Sequence, residues 1–208
     1  MRRMIPTLTA ALLALGSMPA LAADAVEPSA EATAEAPSEA AELQRVEAPE
    51  AGIAISFPTD WNVRVPMASR ESEIRTGPDA EPVYVTTVFM ANAGDGRWCD
   101  VDVYGAIPVP LDQHVYSYAG YLQSVYEIDR TITVTETELP VGDAFRIDMA
   151  DAVRDRVWAM YMFDRVGADG LDPDRFLLTC VADPGTEPYW EAIADGVELL
   201  PAVDAPAA

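Results

Sequence analysis

The sequence contains no lysine: all 13 basic residues are arginine, set against 35 acidic residues and a single histidine. Without lysine there is no amine nucleophile, no Schiff base and no P-loop phosphate clamp. One histidine and two cysteines exclude a His/Cys zinc cage and any site built on two histidines. The formal net charge is −22 and the isoelectric point is near 4.1. Nucleic acids and anionic bilayer surfaces are held by a basic field, so this charge balance argues against both as partners. After the N-terminal segment no apolar run reaches bilayer length.

What is present begins with a three-part leader over residues 1–22. Arg2 and Arg3 supply a basic start, residues 8–15 are an apolar run rich in Leu and Ala, and Ala20-Leu21-Ala22 forms an A-x-A cleavage pattern behind Gly16 and Pro19. The expectation is export, to a secreted or periplasmic location, with no membrane insertion once the leader is removed. Cleavage after Ala22 leaves 11 arginines against 35 acids, a formal charge of −24. Residues 23–50 then hold nine Ala, seven Glu, three Pro and no aromatic residue. Such a composition buries too little surface to offset its chain entropy, so it reads as a disordered acidic linker. Within it, residues 38–45 offer at most a transient helix. Residues 202–208 read as a disordered tail.

The remaining stretch, residues 51–201, suits one domain with its own core. Residues 53–57 and 62–65 read as two short strands joined by the turn at Pro58-Thr59-Asp60-Trp61. Period-two patterning marks further strands at 83–90, 99–104, 131–138, 143–149, 156–165 and 175–182. Between them the period lengthens. Leu111, Val115, Tyr118, Leu122 and Tyr126 make one stripe of a helix over 111–126. A final helix has Thr186 as N-cap, Trp190, Ile193, Ala194 and Val197 on its buried face, and Pro201 as its stop. Short connections force antiparallel pairing. The expected fold class is α+β, a largely antiparallel β-sheet flanked by helices in an α/β/α sandwich.

The opening Ile53-Ala54-Ile55-Ser56-Phe57-Pro58-Thr59-Asp60-Trp61 resembles the hydrophobic strand, Pro and Trp that begin domains of the PsbP/Mog1-like superfamily. The order of elements over residues 52–200 is similar too, including the core strand Phe176-Leu177-Leu178-Thr179-Cys180 and a closing helix. The resemblance implies a noncatalytic domain that works by binding partners. It carries over no functional residue.

Candidate chemistry is sparse. Cys99 and Cys180 both fall in core-like strands of an exported chain, so one disulfide is expected, with two separate buried thiols as the alternative. Closing a loop of about 80 residues would stabilise the fold by up to roughly 4 kcal/mol. His114 sits off the apolar stripe and reads as an exposed side chain without a catalytic partner. Asp100 and Asp102 share one face of a strand, read as the solvent face. Asp169, Asp172 and Asp174 cluster in one loop that suits calcium in chemistry but not in EF-hand spacing; a plain turn is the preferred reading. Tyr116 and Tyr121 are read as pointing outward from the helix, a candidate partner-contact patch.

No cofactor is expected. Two functions follow as expectations: an exported noncatalytic accessory domain that binds an unknown protein or small ligand, or a secreted hydrolase using acidic residues, with or without calcium.

Overall fold

The computed structural model describes residues 42–71, 84–105, 107, 109–125, 130–165, 174–185 and 188–201. The leader, Asp169, Asp172, Tyr126, the cap at Thr186 and the tail lie outside the described residues.

Alternating apolar residues in Tyr84–Asn92 (β5), Trp98–Tyr104 (β6), Arg130–Leu139 (β7), Gly142–Asp151 (β8), Arg156–Arg165 (β9) and Asp174–Ala182 (β10) build a large antiparallel sheet. Asn62–Arg64 (β3) extends it, giving the order β3-β5-β6-β10-β9-β8-β7, and Ala68–Glu71 (β4) also pairs with β5. A second sheet is made of Leu43–Ala48 (β1), Ile53–Pro58 (β2) and Val197–Leu199 (β11), in the order β1-β2-β11. Two helices complete the described fold: Leu111–Val125 (α1) and Pro188–Asp195 (α2).

Both faces of the large sheet bury apolar side chains, which is why β10 reads Phe-Leu-Leu-Thr-Cys-Val-Ala with little polarity. Phe176, Leu178 and Cys180 point to a core shared with Ile55 and Phe57 of β2 and Trp190 of α2. Leu177, Met160, Met162 and Ile147 point to a second core shared with Val115 and Leu122 of α1. Helix α1 packs on β7, β8 and β9. Cys99 and Cys180 face each other directly across β6 and β10, with Cα atoms 4.1 Å apart, and form a disulfide buried in the first core.

Strands make up 58% of the described residues and helices 19%, which corrects the α/β/α sandwich to a β-rich fold. One face of the large sheet carries α1; the other carries the small sheet together with the eight-residue α2. Three short strands, β1, β4 and β11, hid from the sequence pattern. Leu43–Ala48, inside the stretch expected to be linker with a transient helix, is β1, paired with β2 from Leu43↔Pro58 to Ala48↔Ile53. Its burial alternates, with Ala48 buried and Val46 half-buried, and the Gln44 amide donates to the carbonyls of Pro58 and Trp61. The average composition of residues 23–50 masks that period of two. Likewise the strands at β2 and β3 do not pair with each other but join different sheets. Val197, expected on the last helix, opens β11.

The turn from β1 to β2 depends on Gly52, whose φ is +66°. A Cβ there would also overlap the guanidinium of Arg165, which donates to the carbonyls of Ala51 and Gly52 and ties this turn to β9.

Candidate functional site

Strand register places six side chains as a tile on the α1 side of the large sheet. One row runs Arg64–Met90–Asp100 across β3, β5 and β6; the next runs Asn62–Asn92–Trp98. The intervening Val63, Ala91 and Cys99 turn to the opposite core. The hairpin that sets this register turns at Gly94-Asp95-Gly96, where both glycines have positive φ, +83° and +96°. Asn92 Oδ1 accepts the Gly94 N–H at 2.6 Å and Asp95 Oδ1 accepts the Arg97 N–H at 3.1 Å, so the turn is closed by side chains as well as backbone.

The tile floors an open groove of about 610 Å³, bounded by Asp60 on one side and by Ala93 and Gly94 on another. Met90 is 53% exposed there, and Arg64, Asn62 and Asn92 are exposed as well. Trp98 is half-buried, its ring held edge-on by Trp158 at 5.8 Å, so one aromatic face has a fixed position.

Asp100 and Asp102 were expected on a solvent face, and this is corrected: they share the face that α1 covers further along the sheet. Asp102 is buried, and its two oxygens accept the Arg70 guanidinium and the Thr87 hydroxyl, each at 2.6 Å. Asp100 is half-buried at the edge of the groove and accepts a hydrogen bond from the Thr179 hydroxyl. Burial, reinforced by the Asp102 charge, pushes the Asp100 carboxyl up to about 7. It therefore exchanges its proton near neutral pH, which an ordinary carboxyl does not.

His114, read as exposed, is buried under α1 with its ring edge-on to Tyr104 at 5.2 Å. Burial, with the Arg175 charge beside it, pushes the imidazole down to about 4, so it is neutral at pH 7. Arg175 is itself buried and gives a bidentate pair to Asp164, at 2.7 and 2.9 Å, plus a hydrogen bond to the Val109 carbonyl. The sequence signal was available: His114 lies three residues after Leu111, within the helical stripe.

Tyr116 is exposed and meets Phe145, whereas Tyr121 is half-buried and leans on Tyr118. Five helical positions separate the two tyrosines, so they diverge around the helix by about 140° and do not form one patch. Asp174, the described member of the calcium candidates, pairs with Arg165. Among the described residues no three His, Cys, Asp or Glu side chains group closely enough to hold a metal ion. Nor is any described helix long and apolar enough to cross a membrane.

No protein-family model matches the chain, and no curated protein matches its sequence.

Proposed function

We propose that the protein is an exported, noncatalytic binding domain whose recognition surface is the groove over β3, β5 and β6. The observation that carries this reading is the groove itself: an apolar floor of Met90 and Trp98 ringed by Arg64, Asn62, Asn92, Asp60 and Asp100. A mostly apolar floor with a few converging polar groups is the common form of a ligand site. The groups most often used as nucleophile or base are committed elsewhere, since both cysteines are bonded to each other and His114 is buried against Tyr104. Export to a secreted or periplasmic location is supported by the leader at residues 1–22 and by the disulfide. The acidic residues between the leader and β1 serve as a tether, and the −24 charge of the mature chain steers basic partners toward it.

A photo-crosslinking residue at position 90, in the full chain expressed in its native envelope, tests this. A discrete adduct at position 90, absent at the 83%-exposed Val153 and lost on Trp98→Ala, is the expected result. Equal labelling at 90 and 153, or none at 90, overturns the reading.

One observation favours the hydrolase alternative, namely a groove carboxyl that keeps its proton up to about pH 7, as a general acid does. That reading requires hydrolysis of a glycoside, ester or phosphoester substrate that disappears in Asp100→Asn; inactivity on all three classes removes it.

A further inference from the structure

Building on the groove as the binding site, we infer that its ligand is a basic polypeptide segment that places an arginine side chain against Asp100 and the ring of Trp98. The two residues lie two positions apart on one strand face, so a guanidinium lying on the indole reaches the carboxylate at the same time. A planar guanidinium both stacks on an aromatic face and bonds a carboxylate, which an ammonium does less well.

The charge around Asp100 leaves room for such a group. On its own strand Asp102 is a like charge already satisfied by Arg70 and Thr87. From β10 it meets the neutral Thr179, and from β5 the neutral Met90. Arg70 on β4 is committed to Asp102, and Arg64 on β3 lies beyond Met90, two strand spacings or about 10 Å away. Asp60, in the turn after β2, adds negative charge to the rim. Among the described residues Asp100 accepts the Thr179 hydroxyl, and the cation whose charge reaches it, Arg70, is hydrogen-bonded to Asp102 instead, so the groove-facing carboxylate shares a counter-charge already engaged by its neighbour. Asn62 and Asn92, in the neighbouring row, offer amides to the peptide backbone of the same segment.

Proton linkage gives the inference a second readout. Arginine binds the ionised carboxylate, and Asp100 titrates near 7, so binding is tight above that pH and weakens by about thirtyfold from pH 8 to pH 5.5.

The test uses the full mature chain and three capped tripeptides, Gly-Arg-Gly, Gly-citrulline-Gly and Gly-Lys-Gly, at low salt, with binding read from the NMR signals of the Trp98 indole and the Asp100 amide. The arginine probe is expected to bind at least tenfold more tightly than its neutral citrulline isostere and severalfold more tightly than the lysine probe. Asp100→Asn, which keeps the side-chain shape, should abolish the preference over citrulline, while Asp143→Asn, at an exposed carboxylate on β8, should change affinity less than twofold. Equal losses in both variants, with shifts spread over the acidic surface, mean nonspecific attraction and overturn the inference. Equal binding of arginine and citrulline probes, still localised on Trp98, overturns the arginine contact but leaves the groove as a site. A silent Trp98 together with no crosslink at position 90 overturns both.

Discussion

Met90 and Met160 lie in the same row of the large sheet, separated by Asp100 and Thr179, yet one is 53% exposed and the other 1%. The difference is what stands above them. Over β7, β8 and β9 the helix α1 closes the face, and the row there is Met160 and Ile147, both in its core. In this row over β3, β5 and β6 the same face is open and carries Arg64, Met90 and Asp100, while further along β5 and β6 Val85 and Tyr104 are back in the α1 core. Titratable groups divide along the same line. Under α1, His114 is kept neutral well below its usual range; at the boundary of the open half, Asp100 is carried up into the neutral range. One sheet is therefore closed core at one end of this row and an open groove at the other.

The disulfide joins these halves, because Cys99 lies on the open half's last strand and Cys180 on the strand next to it. Replacing both by Ser should cost up to about 4 kcal/mol, the chain-entropy value for a loop of this length. Urea unfolding of the double variant checks this, and amide exchange should accelerate more in β5 and β6 than in β8 and β9. Uniform acceleration would show that the two halves are one cooperative unit.

His114 comes next. Its folded pKa lies near 4, below the 6.5 of the unfolded chain, so the unfolded state binds the extra proton between these values. Stability is thus lost as the pH falls from 6.5 to 4, by about 3 kcal/mol. His114→Phe, which keeps a ring against Tyr104, should remove that loss; parallel denaturation series at pH 7 and pH 4 compare the two. Met160→Ala, in the covered half, should cost a similar amount, about 3 kcal/mol, through the cavity it leaves under α1.

Asp100 works in the opposite direction. Its folded pKa is raised from 3.8 to about 7, so the folded state holds the extra proton, and stability is lost as the pH rises through 7. Between pH 5 and pH 8 the loss should be about 2 kcal/mol, trimmed from the full linkage value by water in the groove. Asp100→Asn should flatten this dependence and leave the variant more stable than the parent at pH 8. An unchanged slope would mean that the carboxyl is solvated like any surface acid, and the boundary between halves would lose its electrostatic meaning.

How much of this was legible beforehand follows from the same division. Strands β5 to β10 and helix α1 were visible in the sequence to within a residue or two, because each buries an alternating or a helical stripe. Strands β1 and β11 were not, since Val46 and Ala48 or Val197 and Leu199 are too few to make a periodic signal, and both depend on pairing with β2. Period two correctly put Asp100 and Asp102 on one face but could not say which face a helix covers, and so placed Asp102 in solvent. The tile was half readable. Counting outward from Asp95 in the Gly-Asp-Gly turn pairs Asn92 with Trp98 and Met90 with Asp100, as observed. The contribution of β3 was hidden by its three-residue length and by its apparent hairpin with β2.

The smallest expected effect is the most diagnostic of the two halves. Met90→Ala should change folding stability by less than about 0.5 kcal/mol, because an exposed side chain leaves no cavity behind. Met160→Ala in the same row removes the same atoms from a closed core, so the ratio of the two losses measures how far α1's coverage extends. Should Met90→Ala prove as costly as Met160→Ala, something covers the open half in solution and the groove is not available to a partner. A silent Met90→Ala that weakens ligand binding instead separates recognition from folding on one strand, as the contrast between the two ends of the row requires.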